Sequence, residues 1–246
     1  GDAKTVLQAL LPQVSYVDRP EWMGYIGDLK RDHPSLAVPP SDTLHAQHVL
    51  VSLNELLQES RETVVVTGVG QHQMWAAQFL SFNHPNTFVS SGGLGAMGFE
   101  LPAALGAQVG RPDATVWSIA GDGGFQMTLQ ELATATEAEL PVKIVLINNG
   151  HLGMVRQWQE LFFENHLKAV PVPGPDYVKL AHAYGIPAVR VTEQEDVLPA
   201  LRQAQAHDGP FLLEFITEPS GKVYPMVPPG GSLADTLEDP SLPKRL

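Results

Sequence analysis

Two oxygen-bearing side chains stand at the ends of consecutive apolar, β-rich runs. Asp122 lies in Ala120-Gly121-Asp122-Gly123-Gly124-Phe125, just after Thr115-Val116-Trp117-Ser118-Ile119. Asn149 lies in Ile147-Asn148-Asn149-Gly150, at the end of Val142-Lys143-Ile144-Val145-Leu146-Ile147. In a parallel sheet, strands joined by crossover helices end on one common edge, and ligands bind there. A hard carboxylate and a neutral amide oxygen at one place suit a small oxygen-liking cation such as Mg²⁺. Each has a plainer reading, since Asp122 can cap the next helix and Asn-Asn-Gly is a common turn sequence.

Two more turns of the same kind surround that pair. Thr67-Gly68-Val69-Gly70-Gln71-His72 opens a helix, whose first N–H groups suit an anion, and His72 offers a further donor. On its own this is ordinary turn chemistry. Gly92-Gly93-Leu94-Gly95-Ala96-Met97-Gly98 contains the spacing G-x-G-x-x-G at Gly93, Gly95 and Gly98. That is a formal dinucleotide fingerprint and keeps a nicotinamide oxidoreductase open as a reading. Its ribose-binding acid should end the following strand; Asp113 precedes that strand, and Asp122 cannot easily serve both a ribose and a metal. No Lys or Arg lies between Arg111 and Lys143, which excludes a Walker-type loop with its lysine. A diphosphate at the Asp122 turn therefore needs a cation plus the amides of Gly123, Gly124 and Phe125.

The elements that position these turns follow from periodicity. Helices are expected near 44–59, 73–82, 98–109, 128–138, 154–164, 177–184 and 194–207. They alternate with six β-rich runs at 63–67, 87–90, 115–120, 142–148, 188–191 and 211–217. The pattern is an α/β fold, a doubly wound and mostly parallel six-stranded sheet. Before it come a short helix capped by Asp2 and stopped before Pro12, a second near 21–32, and an extended linker Ala37-Val38-Pro39-Pro40. Val6, Leu7, Leu10 and Leu11 share one side of the first helix, with nothing local to bury it. The expected organisation is residues 1–40 as the tail of a further domain plus linker, 41–218 as the binding domain, and 219–246 as an arm or lid.

Bulk properties narrow the classes. The 246 residues are 43% apolar and 17% charged, the composition of a globular chain that buries a sizeable core. A net charge of −12 argues against nucleic acid as a partner and requires something other than bulk field to neutralise a phosphorylated ligand. The absence of cysteine excludes disulfides and thiolate metal sites. No bilayer-length apolar run or signal-peptide pattern is present, so the expected location is cytoplasmic, or organellar in a eukaryote, with no membrane partner.

Together the strand-end residues resemble the C-terminal domain of thiamine-diphosphate enzymes, where Gly-Asp-Gly and, twenty-odd residues on, Asn-Asn bind Mg²⁺ and diphosphate. Further stretches are similar to the acetohydroxyacid synthase (acetolactate synthase) catalytic subunit. They are Gly150-His151-Leu152-Gly153-Met154-Val155-Arg156-Gln157-Trp158-Gln159, the run from Gly68 to Gln78, and Val223-Tyr224-Pro225-Met226-Val227-Pro228. The resemblance covers nearly the whole chain.

It implies a thiamine-diphosphate- and Mg²⁺-dependent carboligase that decarboxylates pyruvate and passes the two-carbon unit to a second 2-keto acid, for branched-chain amino-acid synthesis. The Mg²⁺ ligands implied are Asp122, Asn149 and the carbonyl of His151. Cofactor contacts are implied for Val69, Gln71, His72, Gly95, Gly121, Gly123 and Gly124, with Met97 as the wedge that bends the cofactor. Met154 and Trp158 would line the substrate side, although Met154, Trp158 and Phe162 also have the spacing of a core stripe.

The activating glutamate, FAD and much of the parent enzyme are expected outside these residues. This chain alone is then expected to bind cofactor with little turnover, and no catalytic residue is assigned within it. Implied partners are the N-terminal domain of the same or a neighbouring subunit, a homodimer or tetramer, and a regulatory small subunit. Pyruvate oxidase, glyoxylate carboligase, sulfoacetaldehyde acetyltransferase and a non-catalytic assembly module remain alternatives. Two positions depart from the family pattern: Glu100 where Gly is usual, and Gly124 where Ser or Ala is frequent. As a lone acid, Glu100 is expected to face the dipole of its helix.

Overall fold

A computed structural model describes residues 1–32, 38, 40–59 and 62–241. The chain divides into two compact units, Gly1–Ala37 with Asp239–Leu246, and Val38–Glu238. Of the expected linker, Ala37 and Pro39 lie outside the described residues.

In the first unit, α1 (Ala3–Leu10) starts where Asp2 accepts a hydrogen bond from the Thr5 N–H at 2.8 Å. Pro12 falls in a 3-10 turn, Leu11–Gln13, because a proline cannot continue the helical ladder. The second helix, α2 (Pro20–Asp32), begins on a proline that needs no N–H partner there. Val6, Leu7, Leu10 and Leu11 are all exposed.

In the second unit, α3 (Ala46–Gln58) precedes β1 (Thr63–Thr67), α4 (Gln71–Phe79) and β2 (Phe88–Ser90). Next come α5 (Glu100–Gly110), β3 (Thr115–Gly121), α6 (Asp122–Thr128), α7 (Leu132–Glu137) and β4 (Lys143–Asn148). The series ends with α8 (Gly153–Phe162), α9 (Tyr177–Ala183), β5 (Ala188–Val191), α10 (Val197–Ala206) and β6 (Phe211–Ile216). All strand pairs are parallel, in the order β2-β1-β3-β4-β6-β5. One helix expected over 128–138 is two helices, and the first begins at Asp122 itself.

Side chains alternate faces along each strand and are buried on both. Val65, Trp117, Val145, Leu213 and Phe215 pack with α3, α4 and α10 on one face. Val64, Val116, Ile144, Leu146 and Leu212 pack with α5, α6, α7 and α9 on the other. This double burial is why the strands read as continuous apolar runs. At the amino end of β4, the buried Lys143 donates to the carbonyls of His207, at 2.5 Å, and Gly209, at 2.7 Å.

The strand order reverses beside β1, which has β2 on one side and β3 on the other. Crossovers leave these neighbours in opposite directions and open a crevice at their carboxyl ends. The register carries Gly121 level with Ile147, so Asp122 and the 148–150 turn emerge side by side. The arm from 219 packs onto the same unit, with Val223 buried, an antiparallel bridge between Met226 and Leu237, and a cis Tyr224-Pro225 bond.

Phe215 lies wholly inside the core. Phe215→Ala is expected to cost about 3–5 kcal/mol of unfolding free energy, read as a lower denaturant midpoint.

Candidate functional site

The crevice collects most of the residues singled out by sequence. Asp122 is the first residue of α6 and is 4% exposed. Burial pushes its carboxyl up to about 7, against the backbone N–H groups of Gly123, Asp122 and Gly150, with a smaller upward push from Glu214. The Gly150 N–H in that set places the carboxyl against the turn that carries Asn149.

That turn is tightly determined. The Asn149 side-chain oxygen accepts from His151 N–H at 3.0 Å, and its amide donates to Gln71 Oε1 at 3.5 Å. Asn148 accepts from Gly150 N–H at 3.1 Å and donates to the buried Glu214 at 2.8 Å. Glu214 is held in turn by Arg190 at 2.7 Å, and Arg190 by Asp176 at 2.8 Å. Asp176 caps α9, whose Tyr177 hydroxyl donates to the Asp122 carbonyl at 3.3 Å. A chain of contacts thus runs from one proposed cation ligand to the residue beside the other. Residues 150–152 also pair with 170–172, which fixes the backbone of His151.

His72 is buried, with its imidazole over Gly70 and Gly121, and its Nε2 has no hydrogen-bond partner. Burial lowers it to about 4, so at neutral pH it is an uncharged ring. Gln71 donates to Gln157 at 2.9 Å and to the Gly221 carbonyl at 2.8 Å, so it links the site to the C-terminal arm. Gln157 completes the link through the N–H and carbonyl of Val223, at 2.8 and 3.0 Å. Around Gly123 stand Leu152, Met97 and Val172. Gly95 and Val69 lie on the turns that flank the crevice.

Trp158 is 39% exposed and sets its ring edge against Phe162. With Met154, Val155 and Phe163 they line an open groove of about 850 Å³, so the i, i+4, i+8 stripe is a groove wall, and Met154 at its start also packs against the core. Its opposite side is tied down by Glu160, which pairs with Arg156 at 2.7 Å and Lys222 at 2.6 Å.

Several residues here were not picked out by sequence. Gln157 lies in a stretch that carries the resemblance but had no role of its own, and Tyr177 lies in none; Glu214 has a signal, being the one charge in the apolar run Phe211-Leu212-Leu213-Glu214-Phe215-Ile216. Gly153 is fixed by close approach: a Cβ there would overlap Gln71 Oε1 and stand 2.8 Å from the Asn149 amide. Glu100 was expected to face the dipole of its helix; it stands in that first turn, and it is 0% exposed, inside the crevice wall.

The donor set fits one hard cation with an anion beside it. Among the described residues no cluster of three or more His, Cys, Asp or Glu is built to hold a metal. A cation here would rely on one carboxylate and neutral oxygens, and would share its remaining positions with a ligand. The unpartnered Nε2 of His72 and the helix starts of α4 and α6 suit an anionic group.

The model of the family described as "Thiamine pyrophosphate enzyme, C-terminal TPP binding domain" matches residues 68–215. The chain belongs to this family. It is 44% identical over 245 residues to "Acetolactate synthase" of Mycobacterium leprae (strain TN), a match over 94% of this chain and 39% of that protein. It is 45% identical over 247 residues to "Acetolactate synthase large subunit" of Corynebacterium glutamicum, over 96% of this chain and 39% of that one. Against "Acetolactate synthase isozyme 2 large subunit" of Escherichia coli (strain K12) the identity is 43% over 239 residues, 97% of this chain and 43% of the relative. The chain thus spans less than half the length of these relatives. As a thiamine-diphosphate-binding domain it needs no nicotinamide at its Gly93 fingerprint. No helix among the described residues is long and apolar enough to cross a membrane.

Two outcomes follow from the packing. Gly153→Ala is expected to cost about 1–3 kcal/mol and to shift the side-chain amide resonances of Gln71 and Asn149. For His72 the unfolded chain holds the proton more tightly (6.5 against about 4), so its contribution is complete above pH 6.5 and lost as pH falls toward 4. The loss reaches about 3 kcal/mol. Asp122 and Glu100, both raised to about 7, act oppositely and lose stability as pH rises toward 7. The measurement is therefore the difference in unfolding free energy between wild type and His72→Gln across that window.

Proposed function

We propose that the crevice holds Mg²⁺ and the diphosphate of thiamine diphosphate, in a carboligase of the acetolactate synthase type. Its substrates are pyruvate and a second 2-keto acid, and its products are acetolactate or acetohydroxybutyrate for branched-chain amino-acid synthesis. The observation that carries this is the buried Asp122 carboxyl set against the Gly150 N–H at adjacent strand ends, inside a thiamine-pyrophosphate-binding domain.

In this reading Asp122, Asn149 and the His151 carbonyl hold the cation. The N–H groups of Gly123 and Gly124 would hold the diphosphate, and His72 would donate through its unpartnered Nε2 without bringing a charge. Val69, Gly121 and Gly95 shape the walls by letting backbone approach the ligand. Gln71 would reach the diphosphate only by releasing its amide from Gln157 and the Gly221 carbonyl. Met97 would support the cofactor, while Met154 and Trp158 would exclude water on the substrate side. When bound, the cofactor supplies the electron sink for decarboxylating a 2-keto acid; these residues bind, orient and neutralise.

The activating acid and the flavin site are assigned to a part of the enzyme outside residues 1–246, on the same or a neighbouring subunit of a homo-oligomer. The support is that the chain spans 39% of the length of two relatives whose names are "Acetolactate synthase" and "Acetolactate synthase large subunit".

Calorimetric titration with thiamine diphosphate tests the binding half. Binding is expected with Mg²⁺ and to be lost when the metal is chelated; Asp122→Ala is expected to weaken it roughly a hundredfold and Asn149→Ala roughly tenfold. Metal-independent binding, or none, favours an assembly module. Acetolactate formation tests the rest: little turnover is expected from this chain alone, and full activity from it overturns the assignment of the activating acid.

A further inference from the structure

The two positions at which the chain departs from its family pattern touch each other. Glu100 is the first residue of α5, and its carboxyl is wholly buried between the turns that end β1 and β3. A Cβ at Gly124 would stand 2.7 Å from Glu100 Oε1, and one at Gly68 would overlap the same carboxyl. The space that a side chain at 124 would fill is thus occupied by Glu100. Neither carboxyl oxygen has a hydrogen-bond partner.

This carboxyl stands at the start of α5 and against Gly124, whose N–H the cofactor reading gives to the diphosphate. An ionised carboxyl there and an anionic ligand would compete for one field in a low-dielectric wall. We propose that Glu100 is a proton-coupled positioning residue of the anion site, holding the Gly68 and Gly124 turns in place and taking up a proton when the diphosphate binds. This rests on the cofactor reading given above.

The surroundings support it. Burial raises Glu100 to about 7, opposed by the N–H groups of Glu100 and Gly98, which lie near without reaching hydrogen-bond geometry; no charged side chain contributes. The neighbouring elements carry few titratable groups. From α4 comes His72, neutral and over Gly121; from α6 comes Asp122; the 3-10 turn Leu129–Glu131 adds Glu131, which bonds Thr134 at the surface. Strands β1 and β3 bring none. The sign follows. An anion raises the Glu100 pKa above its free value, so affinity is complete below about pH 7 and falls as pH rises from there to the value in the complex.

The test is calorimetric titration of the chain with thiamine diphosphate and Mg²⁺ from about pH 6 to about pH 8.5, in buffers of different ionisation heat. Wild type is compared with Glu100→Gln, because the cofactor, His72 and Asp122 titrate in both. Wild-type affinity is expected to fall about tenfold more than that of Glu100→Gln across the range. Near pH 7 wild type is expected to take up more protons per site, a difference of about one half. Should Glu100→Gln not fold, Glu100→Gly combined with Gly124→Ala serves as the comparison. Gly124→Ala alone is expected to destabilise wild type and to be tolerated once Glu100 is Gly. Identical pH profiles and proton uptake in wild type and variant overturn the proposal while leaving the cofactor reading intact. Absence of cofactor binding by wild type overturns both.

Discussion

Parallel pairing of β1, β3 and β4 is the constraint on which the site depends. Because these strands run in register and in one direction, three turns of the sequence leave the sheet on one edge, and the reversal of strand order beside β1 opens the space between them. Nothing in the local sequence of Asp122 brings it to Asn149; the ladder between Gly121 and Ile147 does. The hydrophobic faces enforce that ladder, since a one-residue slip would exchange Trp117 and Val116, or Val145 and Ile144, between the two cores.

The edge is energetically uneasy. Asp122, Glu100 and His72 are all withdrawn from water, and in each case burial is the leading cause of the shifted pKa. A core made only for stability would not keep three titratable groups so poorly solvated. Their immediate neighbours are matched, as with Gln157 between Gln71 and Val223, or Glu214 between Asn148 and Arg190. The matched groups surround the unmatched ones and hold them still.

The strands were the most legible part of the sequence. Thr63–Thr67 and Ala188–Val191 have the bounds expected of them, because β-branched runs between turn residues have few other uses. The helix that starts at Asp122 was hidden by Gly123 and Gly124, poor helix formers that read as a turn. Periodicity left Met154, Trp158 and Phe162 undecided, since a groove wall and a core stripe share one spacing. Glu100 was legible only as an oddity: that its carboxyl fills the place of a side chain at 124 depends on two loops meeting in space. The Gln71–Gln157–Val223 link was invisible because its members are far apart in the chain and chemically ordinary.

Lys143 gives the sheet a direction. Its ammonium group is fixed among carbonyls where β4 begins, while the carboxyls of Asp122 and Glu100 crowd the opposite rim. Asp122 and Glu100 thus gather at the edge where the strands end, while at the edge where they begin Asp208 stands close enough to Lys143 to offset part of its charge. A rim carrying acids would repel a naked polyanion more than one whose charge a divalent cation has already cancelled, so that the ionic form of a ligand would count there before its shape.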